Sequence, residues 1–453
     1  MHKKNVNMLS GPLIPSILSY AVPIILTSIL QLTFNAADMI IIGQYCGSVS
    51  VAAVGATAAI SNLIVNLFMG LSVGAGVAAA HAIGSKQDDQ THQTVHTAIP
   101  AAILCGVILT IVGVLFAEQF LTMMATPESV LPLSTVYMRI YFTGMTFSMV
   151  YNFGASILRA AGDSKNPLIF LSIAGVINVA LNVLFVTVLD MNVAGVALAT
   201  VISQGFSAVS TLIVLARRTD ACKLELRRMK IYGRQLSKIL QIGLPAGIQG
   251  CMFNLTNVLI QSSVNSFGEV FVTGNAAAGN IEGFFYATVS SFSQAAINFV
   301  GQNHGAHQYK RVKQVLWSCM GCAAVFGAGL GCIAYFFGSD LLGFYITDSA
   351  EAIAGGMVRI TFACVPYFIY GLMEVSTGAL RGIGSSVTPM LISVLGICGF
   401  RILWLSTVFR IPQYHVPETL FIAYPLSWTI TFIIQLTAFM LVFKKYVRSA
   451  AAE

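Results

Sequence analysis

The segment LRAAGDSKNP at residues 158–167 returns as LRGIGSSVTP at residues 380–389. Arg159, Gly162 and Pro167 each recur 222 residues later, as Arg381, Gly384 and Pro389. The same offset carries Pro23 to Pro245 and Asn35 to Asn257. One residue out of register, HAIGS at 81–85 parallels NHGAH at 303–307. The chain reads as one unit written twice.

Composition says what kind of unit. Of 453 residues, 56% are hydrophobic and only 9% charged, with a mean hydropathy of +0.80. A soluble domain carries about 25% charged residues. So few charges cannot cover a water-facing surface, which excludes an ordinary soluble enzyme, a disordered chain and a nucleic-acid binder. Apolar runs of about 20 residues recur throughout, which points to helices rather than a β-barrel. Twelve are predicted, near 15–43, 51–82, 94–116, 133–158, 167–189, 193–216, 238–266, 271–301, 314–337, 355–380, 389–409 and 419–443. Six spans per copy give both copies the same orientation, so the repeat is parallel, about an axis along the membrane normal. The expected fold is an all-α polytopic membrane protein: a lobe at 1–216, a basic loop at 217–237 and a second lobe at 238–453. Repeats of this kind in transporters place the substrate path between the halves.

Basic residues set the orientation. Lys3, Lys4, Lys86, Arg159, Lys165, the eight Lys and Arg of 217–238, Lys310, Arg311, Lys313, Arg381, Lys444, Lys445 and Arg448 fall on the side of both termini. The opposite loops hold Arg410 and the acids Glu118, Glu128, Asp190, Glu269, Asp340, Asp348 and Glu351. The positive-inside rule puts both termini in the cytoplasm. The net charge of +7 is then a topology signal, with no nucleic-acid partner implied. The 217–238 loop reads as a linker lying against anionic lipid headgroups. The basic N-terminus MHKKNVNMLSGP leads into a retained first span rather than a cleaved signal.

Nine cysteines do not form a disulfide framework. Cys105, Cys251, Cys332, Cys364 and Cys398 sit inside apolar runs, and the CxxC of Cys319 and Cys322 lies in a helical stretch with no second pair nearby. They read as small packing residues. There is no HExxH, GxSxG or phosphate-cradling loop. The chain is expected not to be an enzyme and to need no cofactor. Without an ATP site, uphill transport must draw on an ion gradient.

Polar groups inside the membrane are costly and mark function or glue between helices. On the first span Thr27, Gln31, Asn35 and Asp38 stand at steps of four, four and three, on one face. Asp38 among apolar neighbours is a candidate proton or cation carrier. Pro23 below this stripe is a candidate hinge. Asn178 and Asn182 share a face of the fifth span, and Thr200, Ser203 and Gln204 lie on the sixth. A carboxylate with amide and hydroxyl oxygens suits a hard cation such as Na⁺, or a proton in a hydrogen-bond network.

The second copy has Asn254, Asn257, Gln261 and Asn265 on the seventh span, Asn280 and Glu282 on the eighth, and Tyr367, Tyr370, Glu374, Thr377 and Arg381 on the tenth. Glu374 is a second candidate for proton or cation binding. Arg401 in mid-span needs a partner, with Glu374 or Glu282 expected. Arg139 and Arg359 near span ends are expected to snorkel. Aromatic and Met residues on these helices, among them Phe34, Met149, Tyr151, Met252, Phe253, Tyr367 and Tyr370, suit walls for flat, lipophilic, often cationic ligands.

These residues resemble the multidrug and toxic compound extrusion (MATE) family of cation-coupled antiporters, across nearly the whole chain. The specific parts are Pro23, Gln31, Asn35, Asp38 and Gly43 of the opening span, the duplicated LRxxGxSxxP segments, and VGQNHGAHQYKRVKQ at 300–314. The resemblance implies two six-helix lobes around a V-shaped cavity. It also implies export of organic cations or other amphiphiles in exchange for H⁺ or Na⁺. Asp38 matches the family's acidic residue on the first helix, Asn178 an asparagine and Thr200 a threonine of the same site, so Na⁺ would sit at Asp38, Asn178 and Thr200. Asn182 falls where several members have a second carboxylate, which leaves this site less negative. Phe253 falls where the branch of norfloxacin exporters has a glutamate, and Glu374 lies near but not at that branch's acidic residue on the tenth helix.

The expected function is therefore export by rocking of two lobes, with Asp38 as coupling carboxyl, in a cell-membrane protein acting as a monomer among lipids. The alternative is a flippase for a lipid-linked saccharide. A pyrophosphate-bearing cargo wants several cationic residues at mid-membrane depth, and Arg401 is the one clearly placed there.

Overall fold

A computed structural model describes residues 6–347 and 349–450 of the chain. Lys3, Lys4 and Asp348, used above for orientation, lie outside the described residues. Twelve helical segments cross in turn, and among the described residues there is no strand. In lipid each backbone N–H and C=O must be paired within its own segment, and a helix does this at every residue.

The first lobe contains α1 (Leu13–Tyr45), α2 (Ser48–Gly84), α3 (Asp88–Met123), α4 (Leu131–Thr143 and Met145–Ala160, broken at Gly144), α5 (Lys165–Val188) and α6 (Asn192–Ala216). The second contains α7 (Gly233–Asn265), α8 (Glu269–Gly305), α9 (Tyr309–Gly343), α10 (Ala350–Cys364 and Tyr367–Gly382), α11 (Val387–Arg410) and α12 (Pro417–Ala450). Several helices outrun the predicted spans. α3 starts six residues before 94 and ends seven after 116, because hydropathy registers only the apolar middle while the helix continues through polar ends. Eight of the described helices are long and apolar enough to span by composition alone, and α10, bent by 42°, is a ninth. α4 falls short through its break, and α7 and α8 through their Asn, Gln, Ser and Thr content.

The duplicated LRxxG segments close α4 and α10 in the same way. Gly162 and Gly384 sit at φ +83° and +88°, the left-handed region that a helix C-terminus uses and that glycine enters without steric cost. Asp163 N–H reaches back to Leu158 O at 2.9 Å, and Ser385 N–H to Leu380 O at 3.0 Å. The sequence repeat is a repeated helix stop.

The described chain packs as two compact units. One takes in Val6 and Leu26–Cys251; the other takes in Asn7–Ile25 and the residues from Met252 onward. α1 passes from one to the other at 25/26, two residues beyond Pro23, and α7 at 251/252, six residues beyond Pro245. Both prolines lie inside unbroken helices.

In the first unit α4 packs against α2, α3 and α6, with Met138, Phe142, Met145, Met149, Phe153 and Leu158 fully buried between them. The same unit holds a close crossing of α2 and α7. A Cβ on Gly70 would collide with the Gly247 backbone, one on Gly74 with Ile239 O, and one on Gly243 would lie 2.6 Å from Leu71 Cα. Gly70 and Gly74, like Gly243 and Gly247, are spaced by four, the small-xxx-small pattern of close membrane-helix contacts. In the second unit α10 packs on α8, α9 and α12.

The 217–238 connection is ordered against the start of α3. Glu225 N–H donates to His96 Nε2 at 3.0 Å, Tyr232 N–H to Thr97 Oγ1 at 3.1 Å, and Lys238 Nζ to Gln90 Oε1 at 3.5 Å. Cys222 and Leu224, within the connection, are buried. The nine cysteines form no disulfide among the described residues, and Cys319 and Cys322 are buried.

Candidate functional site

The polar stripe of α1 faces a cavity of about 170 Å³ in the first unit. Gln31, Phe34, Asn35 and Asp38 form one wall; Ser148, Tyr151 and Asn152 of α4, Leu171, Ala174, Gly175 and Asn178 of α5, and Thr200, Ser203, Gln204 and Ser207 of α6 form the rest. Gly175 is required here, since a Cβ would run into the Phe34 ring. No Lys or Arg lines this cavity, and Asp38 supplies its one charged group among the described residues.

A relay of hydrogen bonds leads away from that carboxyl. Asn182 Nδ2 donates to Asp38 Oδ1 and, at 3.3 Å, to Asn178 Oδ1. Asn178 Nδ2 donates to Thr200 Oγ1 at 3.4 Å, and Thr200 Oγ1 donates to Val196 O at 3.0 Å. Because the Asn182 amide nitrogen serves two acceptors, its carbonyl oxygen Oδ1 is fixed on the other side. That oxygen is buried and has no partner among the described residues, as is Gln204 Oε1. A buried acceptor in this state is one that an ordered water or an ion can fill.

Of the residues expected at a site, Gln31, Asn35, Asp38, Tyr151, Asn178 and Thr200 line this cavity, and Asn182 stands behind them. Met149 does not line it; it is fully buried in the core of the first unit. Ser148, Asn152 and Ser207 were missed. Steps of three and one from Ser148 through Tyr151 to Asn152 put those three on one helical face, which was the signal available.

Met252, Asn254, Asn257, Glu282, Tyr367, Tyr370 and Glu374 belong to the second unit, apart from the cavity residues. Met252 O accepts from Thr256 Oγ1 at 2.9 Å; Asn254 is half-buried and Asn257 exposed. Glu282 pairs with Arg359, Oε2 lying 2.8 Å from Nη2 and 2.9 Å from Nε, while Arg359 Nη1 donates to Asn275 Oδ1 at 2.9 Å. Arg359 therefore anchors an internal ion pair instead of snorkelling. Arg401 pairs with neither expected acid. Glu282 is engaged by Arg359, and Glu374 is bonded by Tyr370 and sits within electrostatic reach of Arg381. Arg401 instead donates from Nε to Ser427 Oγ at 3.2 Å and stacks over Tyr424, 3.8 Å from the ring centroid. Gln435, bridging Thr377 and Ser393 at 3.0 and 2.8 Å, was not singled out from sequence.

The MatE family model matches residues 23–184 and again 245–405. The chain belongs to the MatE family. The two matches begin 222 residues apart (245 minus 23), the offset of the internal repeat. Two relatives are "Probable multidrug resistance protein YoeA" of Bacillus subtilis (strain 168), 27% identical over 94% of this chain and 93% of its own, and the "FAD transporter" of Shewanella oneidensis, 24% identical over 66% of each. Among solved structures the chain is similar to MATE in the bent conformation (TM-score 0.89, 18% identity, 100% of both chains). It is also similar to an outward-facing multidrug resistance MATE family transporter of the MOP superfamily (TM-score 0.90, 19% identity, 99% and 100%). This MatE protein is thus a multi-pass membrane transporter with twelve helices in two six-helix lobes.

Proposed function

We propose that the protein is a secondary antiporter that exports organic cations or amphiphilic solutes in exchange for H⁺ or Na⁺, with Asp38 as the coupling carboxyl. The observation that carries this reading is Asp38 on the cavity wall, held by the Asn182–Asn178–Thr200 relay.

A carboxyl in this position has two uses. Protonated, it is neutral and loses its attraction for a cationic solute; ionised, it attracts one. A cation that binds Asp38 in one conformation and a solute that binds in the other are coupled by that difference in affinity alone. The residues also fit Na⁺, a hard ion that supplies fixed positive charge to oxygen ligands. Asp38 supplies the negative charge, and the side-chain oxygens of Asn178 and Thr200 supply neutral donors.

The two lobes would alternate access by rocking, with Pro23 as a hinge where α1 passes between units. Glu374 would serve the second unit as a proton or cation carrier, and Met252, Asn254, Asn257, Glu282, Tyr367 and Tyr370 would belong to its solute-facing side. The protein would act as a monomer in the cell membrane with both termini in the cytoplasm.

Relatives named for multidrug resistance and for FAD transport favour small organic cargo. A lipid-linked pyrophosphate is disfavoured by a cavity with no basic lining residue.

The test is a liposome assay with a fluorescent organic cation, membrane potential clamped, under a proton gradient and then a sodium gradient, with Asp38→Asn beside the wild type. Transport driven by either gradient and lost in Asp38→Asn supports the reading. Transport unchanged in that variant, or none under either gradient, overturns it.

A further inference from the structure

Arg401 is a charged group near the middle of α11 that meets aromatic faces but, among the described residues, no carboxylate of its own. Its side chain is only 5% exposed. Among the described residues it forms no ion pair, and Nε to Ser427 is its single hydrogen bond. A guanidinium carries five N–H donors in a rigid fork. Four of them have no acceptor among the described residues. The contrast with Arg359 is direct, since that guanidinium has the Glu282 carboxylate and the Asn275 side chain. Glu282 is within electrostatic reach of Arg401 but is already engaged. Two arginines share one carboxylate, so the cluster holds one positive charge in excess.

An ionisable group inside a spanning helix is costly and marks a functional site whose partner has to be named. The surroundings describe that partner. Arg401 lies against Tyr424 and 5.9 Å from the Trp428 ring centroid. Trp428 meets Tyr367, Tyr370 and Tyr424 at 5.4, 5.3 and 5.6 Å. Tyr286, beside Tyr370, is half-exposed and gives the cluster an accessible edge. A guanidinium fork matches a planar carboxylate or a phosphate, and aromatic faces and edges suit a flat ring.

We propose that the second unit contains an anion-binding subsite at Arg401, walled by Tyr424 and Trp428, which takes the carboxylate or phosphate of a flat aromatic solute. It rests on the transporter reading and narrows the cargo: a suitable solute carries a negative group. Ser427 is a positioning residue, accepting from Nε and leaving the terminal nitrogens forward.

The experiment is equilibrium binding by calorimetry to the full protein in lipid nanodiscs, with no ion gradient. The probes are 2-naphthoate, its neutral twin 2-naphthamide, and 2-naphthyl phosphate. The wild type is expected to bind either anion at least about tenfold more tightly than the amide, the difference that charge-assisted hydrogen bonds bring. Arg401→Gln removes that preference and leaves amide binding within about twofold; Arg401→Lys, which keeps the charge without the fork, retains part of it. If Arg401→Gln does not fold, the wild-type preference and its reduction in Arg401→Lys and Ser427→Ala carry the test. Equal binding of anions and amide by the wild type overturns the proposal, as does a loss in Arg401→Gln that is the same for all three probes. Because no transport is involved, failure of the ion-coupled efflux assay leaves this result standing, and the reverse holds too.

Discussion

The Asn182 side-chain amide donates to the Asp38 carboxylate while its own carbonyl oxygen stays buried and unpartnered. The two halves of one side chain thus do different work. The nitrogen holds the carboxyl on the cavity wall, and the oxygen is left facing away from it.

Asn182→Asp replaces that donor nitrogen with a second carboxylate. Two acids in one site cannot easily both ionise, so one holds a proton or both share a cation. If the coupling ion is Na⁺, the sodium concentration for half-maximal transport should fall several-fold; if it is H⁺, the pH profile of transport should shift upward. Both are read in liposomes from initial rates. Unchanged sodium dependence and pH profile would separate Asn182 from coupling.

Gly247→Ala sets a methyl group against the Leu67 backbone, where flexible side chains are not available to yield. Overpacking of this sort costs typically about 1–3 kcal/mol. Gly55→Ala, on α2 with open space at the same atom, is the control and should be neutral or mildly stabilising. Thermal unfolding in detergent measures both.

Glu282→Gln leaves Arg359 without its counter-charge. Both side chains are largely buried, 15% and 18% exposed, so the loss should be about 3–5 kcal/mol, as for other broken internal pairs. The paired change Glu282→Gln with Arg359→Met should recover much of it. Recovery by the double variant is the decisive reading, since independent effects would add.

Burial pushes the Cys222 thiol up to about 12. Only about one molecule in ten thousand would then be thiolate at pH 8, so maleimide labelling there should be very slow. His96→Ala removes the acceptor for Glu225 N–H and should loosen the 217–238 connection, exposing Cys222. Mass spectrometry of labelled peptides should show Cys222 modified in that variant and spared in the wild type.

Much of this was legible in the chain. Nine of the twelve spans pass on length and apolarity alone, and the LRxxG repeat announced two matching helix stops. The Asp38 stripe was readable because steps of three and four fix a helical face whatever surrounds it. The choice among partners was not. Arg401 sits two residues from the middle of its predicted segment, 389–409, yet whether it meets Glu374, Glu282 or a tyrosine ring depends on the rotation and depth of neighbouring helices. Met149 failed for a related reason. Its position two residues before Tyr151 places it about 200° around the helix, on the core side of the wall that Tyr151 lines.

The crossing of α2 and α7 has a further consequence. Where Gly70 and Gly74 meet Gly243 and Gly247, the two main chains come close enough to touch, with the Leu71 side chain beside Gly243. Nothing beyond a hydrogen can be added at Gly70, Gly74 or Gly247 without moving a whole helix, so this contact sets the spacing of α2 and α7 at the thickness of backbone.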